Sequence, residues 1–107
     1  MKKIILISFV VLSSLLNASE LPVYTLRLKN HKFIPELLKV KANQKFKLIV
    51  INEDNTFEEF ESNKMVVEKF VNPKGKLNLV LGPYKAGDYD FFGEFHMSTA
   101  KGILRAE

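Results

Sequence analysis

The chain has 107 residues, no cysteine, and 16 basic against 12 acidic side chains, a formal net charge of +4. That length allows one domain and excludes a large enzyme with a deep inter-domain cleft. Without a thiol there is no disulfide framework, no cysteine-based zinc site, no iron–sulfur cluster, no thiol nucleophile and no thiolate copper centre of the electron-transfer type. Apolar residues make up 47% of the chain, an ordinary share for a globular protein and too high for disorder.

The first element is not part of the domain. Met1-Lys2-Lys3 is a short basic start, and residues 4–16 form an apolar run broken only by Ser8, Ser13 and Ser14. Leu16-Asn17-Ala18 then ends in a small residue suited to cleavage, so residues 1–18 read as a secretory signal peptide of bacterial type. The run of 13 residues is short of the roughly 20 that span a bilayer, which favours cleavage over an uncleaved anchor. Residues 19–107 are therefore expected to form a single domain in the periplasm or outside the cell. Cleavage after Ala18 leaves 89 residues with 14 basic and 12 acidic side chains, a net charge of +2. That charge, in a compartment without nucleic acid, gives no electrostatic footprint for nucleic-acid binding.

The rest of the chain reads as short strands. Residues 23–29 alternate apolar and polar from Tyr24 onward, and residues 38–42 alternate again before a turn at Asn43-Gln44. Residues 46–52 begin alternating and become continuously apolar, as a central strand does. The next β-rich stretch is residues 65–71, with Pro73-Lys74-Gly75 as a turn; residues 77–81 alternate until Gly82-Pro83 stops them. Residues 89–92 form another strand, and the last begins at Lys101. No segment keeps helical periodicity over three turns, although residues 54–61 or 97–100 could hold one helical turn. About seven short strands separated by turns predict a β-sandwich or a small barrel.

Charge is segregated along the chain. Between Leu21 and Lys47 there are seven basic residues and one acid, Glu36; between Glu53 and Glu61 there are five acids (Glu53, Asp54, Glu58, Glu59, Glu61) and no base. The lysines of the first stretch alternate with apolar residues and read as the solvent face of strands, with docking to an anionic membrane or an acidic partner as the functional alternative. The five acids repel one another, and a metal cation would relieve that repulsion. Phe57 and Phe60 interleave with them and are expected to pin the segment to the core. Farther on, Glu94, His96 and Met97 put a carboxylate, an imidazole and a thioether within four residues. Imidazole and thioether suit copper, whereas carboxylate suits harder ions such as ferric iron or manganese. His31, in the turn after the first strand, reads as a surface residue, and Met65 as core packing. No Ser/His/Asp arrangement, phosphate-cradling glycine loop or catalytic carboxylate pair stands out, so the chain is not expected to be an enzyme.

Taken in order, Ile51-Asn52-Glu53-Asp54, Glu58-Glu59-Phe60-Glu61-Ser62, Glu68-Lys69 with Pro73-Lys74-Gly75, Gly82-Pro83 with Gly87-Asp88-Tyr89, and Phe91-Phe92-Gly93-Glu94-Phe95-His96 with Ala100-Lys101-Gly102 form a recognisable series. From about Tyr24 to Glu107 the sequence resembles the cupredoxin-like domain of bacterial periplasmic proteins. In particular it resembles the single-domain form related to the N-terminal domain of EfeO-type iron-transport proteins. The resemblance implies a Greek-key β-sandwich and a place in periplasmic metal handling, often alongside an inner-membrane iron permease. It sets Gly93 where ordinary cupredoxins carry the copper-binding Cys, His96 on the ligand His, and Ala100 near the ligand Met. Glu58 and Glu59 fall in the region of the first ligand His. One of four ligands then remains. Some EfeO-type domains carry Cys near the positions of Ile34 and Gly93, and this chain has neither. The expectation is a carboxylate-rich replacement site for copper or iron, built from Glu59, Glu61, Glu94, His96 and Met97, in a carrier or permease partner. The alternative is a metal-free interaction module of the same fold. Whether Glu58 or Glu59 faces the site stays open, because a one-residue slip swaps the faces of a strand.

Overall fold

The computed structural model describes residues 20–107, and residues 1–18, expected to be a signal peptide, lie outside them. Among the described residues the chain forms nine strands: β1 (Val23–Lys29), β2 (Lys32–Ile34), β3 (Leu37–Val40), β4 (Phe46–Asn52), β5 (Glu58–Ser62), β6 (Val67–Val71), β7 (Lys76–Leu81), β8 (Gly87–Gly93) and β9 (Lys101–Ala106). A single 3₁₀ turn, Glu94–His96, leads out of β8. The strands make two sheets, one in the order β2-β1-β4-β7 and the other β3-β9-β8-β5-β6. The result is the all-β sandwich expected from the alternating segments.

The alternation does its work by sorting side chains. In β1, Leu26 and Leu28 point inward while Thr25, Arg27 and Lys29 face solvent. In β4 the inward set is Phe46, Leu48, Val50 and Asn52. β1 lies parallel to β4 with Leu26 beside Val50, and β3 lies parallel to β9 with Leu38 beside Leu104. Parallel neighbours need long crossovers, and here those crossovers pass from one sheet to the other. β9, the last strand, runs between β3 and β8.

Two strands were hidden in the sequence. β2 is only three residues long, and β5 carries Glu-Glu-Phe-Glu-Ser, a segment with one apolar residue. β5 is nevertheless paired on both sides, with Phe60 opposite Lys69 of β6 and Gly93 of β8. No helical turn forms within it. Phe60 is fully buried, so it does pin the acidic stretch, but Phe57 is exposed. Met65 is buried as core packing, in the turn before β6.

Under the end of the sandwich that carries β5, three phenylalanine rings meet. Phe33 lies 5.9 Å from Phe60 and 5.2 Å from Phe91, both edge-on, and Phe60 lies 5.5 Å from Phe91. Edge-to-face contacts of this kind add to the apolar area each ring buries. The triangle joins β2 of one sheet to β5 and β8 of the other. Phe60→Ala is accordingly expected to destabilise the protein by about 3–5 kcal/mol, read by urea unfolding. A loss under about 1 kcal/mol would mean that the site above does not depend on this floor.

Candidate metal centre

The site region is organised by two polar residues at the end of β4 and in the loop that follows. Asn52 is buried; its Nδ2 donates to Thr56 O at 2.8 Å and Asn72 O at 3.1 Å, and its Oδ1 accepts from Asp54 N at 3.0 Å. Both amide hydrogens and the amide oxygen are thereby engaged, tying the 53–57 loop to Asn72. Asp54, so placed, accepts from Asn30 N at 2.7 Å and His31 N at 2.9 Å. Those two residues have φ of 52° and 57°, the left-handed region, and the Asp54 carboxylate stabilises the turn by taking both of its amides.

His31 stays at the surface as expected, its side chain 39% exposed, but the turn gives it partners that the sequence did not suggest. Its ring stacks on His96 at 3.6 Å between centroids and 12° between planes. Its Nδ1 is buried without a hydrogen-bond partner, with Asp54 Oδ2 at 3.5 Å. Beneath the stack lies Glu58, whose carboxylate is 1% exposed. Its Oε1 accepts from Glu59 N at 3.0 Å and Phe95 N at 2.8 Å, and its Oε2 accepts from His96 Nδ1 at 2.8 Å. With a carboxylate as partner, Nδ1 is the donor. A buried carboxylate is tolerated only with such a set of donors.

Gly93 makes room for it. A Cβ at Gly93 would stand 2.5 Å from Glu58 Cδ, 2.7 Å from its Oε2 and 2.9 Å from Ala100 Cβ. The space next to the Gly93 backbone is filled by the Glu58 carboxylate. A mononuclear thiolate copper centre does not fit these residues: no thiol exists in the chain, and a longer side chain at Gly93 collides with Glu58.

The opposite face of β5 presents the other carboxylates. Glu59, Glu61 and Glu94 each bring one oxygen into a group in which all lie within 4.8 Å of one another. Glu59 is the buried floor, Glu61 is half-buried and Glu94 is exposed at the rim. None of the three takes part in an ion pair among the described residues. Burial pushes the Glu59 carboxyl above the usual range, and the charges of Glu68, Glu61 and Glu94 push it further. Glu61 is raised too, first by burial and then by Glu94 and Glu68, while a hydrogen bond with Glu59 opposes the shift. Carboxylates crowded without a counter-charge hold on to protons in this way.

The expected ligand set thus divides. Glu59, Glu61 and Glu94 come together. His96 is on the other side of the strand with Glu58, and Met97 lines a groove with Leu37, Phe91 and Ile103 that none of the triad borders. The open choice between Glu58 and Glu59 is resolved by the strand: Glu58 faces the interior and Glu59 the triad. Sequence reasoning missed two participants, Glu58 as a buried anchor and His31 as the partner of His96. The only signal for the first was its place two residues before an inward Phe60. For the second there was none, since Asp54 is 23 residues away from it in the chain.

Comparison with known proteins places the chain in a family. The chain belongs to the cupredoxin-like domain family, whose model matches residues 2–106. It is 44% identical over 77 residues to an uncharacterized protein of Rickettsia prowazekii (strain Madrid E), an alignment covering 72% of this chain and 62% of that one. The chain therefore spans less than two thirds of the curated relative it matches. Among solved structures it resembles auracyanin A, a "blue" copper protein from Chloroflexus aurantiacus, with a TM-score of 0.70 at 11% identity, covering 82% of this chain and 100% of that one. It also resembles the metal-binding domain, with Cu(I), of the Cu(I)-exporting P-type ATPase CopA of Streptococcus pneumoniae D39. There the TM-score is 0.68 at 10% identity over 79% and 84% of the two chains. At such identities the likeness is one of fold.

The raised pKa of Glu59 has a sign that can be checked. A carboxyl whose folded pKa exceeds its unfolded value contributes stability that is complete below the unfolded pKa and is lost as pH rises through the folded one. Glu59 is such a group. Glu59→Gln, which keeps the shape and removes the charge, is expected to raise the Tm of the metal-free protein at pH 7 and to leave it nearly unchanged at pH 3. A Tm at pH 7 equal to or below that of the unsubstituted protein contradicts the crowding described.

Proposed function

We propose that this protein is a periplasmic metal-binding accessory protein of a bacterial iron or copper uptake system, a carrier or the partner of an inner-membrane permease, with Glu59, Glu61 and Glu94 as its ligands. The observation that carries the reading is the convergence of three carboxylate oxygens within 4.8 Å with no cationic side chain paired to them among the described residues. A multivalent cation there would convert mutual repulsion into attraction. An oxygen-only set suits hard ions, ferric iron and manganese among them, and disfavours the cuprous ion, which prefers sulfur. The graded exposure from Glu59 to Glu94 leaves coordination positions open on the rim, as transfer to another protein requires. The basic, apolar and small-residue pattern of residues 1–18 supports export to the periplasm. No chemical step is assigned to the site.

A metal-free docking module is the second reading. It is favoured by Phe70 and Phe95, 63% and 50% exposed, whose rings lie 6.1 Å apart beside the triad. Exposed paired aromatics mark contact surfaces.

Titration calorimetry with ferric citrate, cupric and cuprous ions separates the two. The metal reading predicts one ferric or cupric ion per chain, bound more tightly than about micromolar. It also predicts a loss of tenfold or more (~1.4 kcal/mol) in the Glu59→Gln, Glu61→Gln double variant. Met97→Ala should change nothing, and the cupric form should lack intense thiolate colour. Binding weaker than micromolar for every ion, or an unaltered double variant, would overturn it.

Because the ligands must shed protons to bind, affinity should also fall as pH is lowered. The raised Glu59 and Glu61 values place the onset of that fall above the ordinary carboxylate range. An affinity that holds constant down to the ordinary carboxylate range would mean that these two groups are not ligands.

A further inference from the structure

Glu58 is the most buried acidic side chain among the described residues and takes no part in the triad. We infer that it is the positioning residue of the triad, a clasp that fixes the strand bearing Glu59 and Glu61 against the turn bearing Glu94. This rests on the metal reading above.

The hydrogen bonds carry the inference. Oε1 of Glu58 takes two backbone amides at once, Glu59 N at 3.0 Å and Phe95 N at 2.8 Å. One belongs to a triad residue in β5; the other directly follows the triad residue Glu94 in the 3₁₀ turn. A single oxygen atom therefore sets the distance between the two pieces of backbone that carry the ligands. Oε2 holds the far end of the same turn through His96 Nδ1 at 2.8 Å. No side chain caps the turn and none of its residues is buried; apart from Glu58 it is held by the His31–His96 stack and by Phe95 lying 6.1 Å from Phe70. Gly93 N donates to Ala100 O at 2.8 Å and Ala100 N to His96 O at 2.8 Å, which closes the loop but does not tie it to β5. Gly93 itself pairs with Phe60, one residue short of the turn. Ligand groups held by neighbouring hydrogen bonds bind metal more tightly than mobile ones, because less ordering remains to be done on binding.

The clasp works by acceptor geometry, not by charge, and that separates it from an electrostatic role. Glu58→Gln keeps the volume and one carbonyl oxygen for both amides, while its NH₂ group faces His96 Nδ1 as a donor to the other tautomer. Glu58→Ala removes every bond. The test is calorimetric titration of the purified protein and both variants with ferric citrate and cupric ions. It is paired with hydrogen exchange of the Glu59 and Phe95 amides in the metal-free state. The clasp predicts that Glu58→Ala weakens binding tenfold or more and speeds exchange at both amides. It predicts that Glu58→Gln stays within about threefold of the unsubstituted protein and keeps both amides protected. If the Ala variant does not fold, Gly93→Ala serves instead. Its methyl is driven into the Glu58 carboxyl carbon at 2.5 Å, and it should weaken binding while all four acids remain in the chain.

Equal weakening by Ala and Gln would assign Glu58 to charge and overturn the inference, as would unchanged affinity in the Ala variant. If the unsubstituted protein binds neither ion, the metal reading fails by itself. The exchange data then still decide on the clasp: protection in Gln and loss in Ala sustains it, and equal exchange rates refute it.

Discussion

A carboxylate buried to 1% exposure dictates the arrangement of this end of the sandwich. Glu58 can sit there only because three donors converge on it, two backbone amides and one imidazole. Each imposes a condition on the sequence. The residue facing its Cδ must have no side chain, which Gly93 meets. The next layer must be small, and Ala100 is fully buried there. The imidazole must arrive from the turn after β8, and His96 does so with His31 laid across it. Removing one partner of such a group leaves an uncompensated buried polar atom, which costs far more than the bond contributes when intact.

The alternation of a β-strand converts that inward carboxylate into an outward site. With Glu58 and Phe60 turned to the interior, Glu59 and Glu61 must point to the other face. There they meet Glu94, which the Glu58 clasp brings alongside. The inward face is satisfied by hydrogen-bond donors. The outward face is unsatisfied and crowded, and it raises the pKa values of Glu59 and Glu61. One strand therefore carries a structural carboxylate and two carboxylates proposed as ligands, distinguished only by which way they face. The absence of cysteine, at first only an exclusion, fits this division: sulfur plays no part on either face, since Met97 lies in its own groove.

Much of the fold was legible in the sequence, because strands such as β1, β4 and β7 advertise their faces by alternation. β5 was not, since its inward positions are Glu58, Phe60 and Ser62, and a pattern reading treats two of those as solvent residues. Buried polar side chains are the point at which periodicity misleads. Within the site, Glu59, Glu61 and Glu94 could be named from charge crowding and from the family resemblance. The separation of His96 from them could not, because it follows from the strand's facing and the Gly93 gap, neither of which has a sequence signal of its own. The His31–His96 stack depends on two successive left-handed residues held by a distant aspartate. Local propensity gives no hint of such a long-range tie.

The family is one of cupredoxin-like domains, and this chain keeps the sandwich while gathering three carboxylates at the end where the 3₁₀ turn lies, in a sequence without a thiol. The most direct measurement is a crystal structure of the protein loaded with ferric or cupric ions, with the ion located by its anomalous scattering. The account predicts one ion bonded to carboxylate oxygens of Glu59, Glu61 and Glu94, with Glu58 still hydrogen-bonded to Phe95 N and His96. An ion bonded to His96 or Met97, or to Glu58 itself, would contradict it.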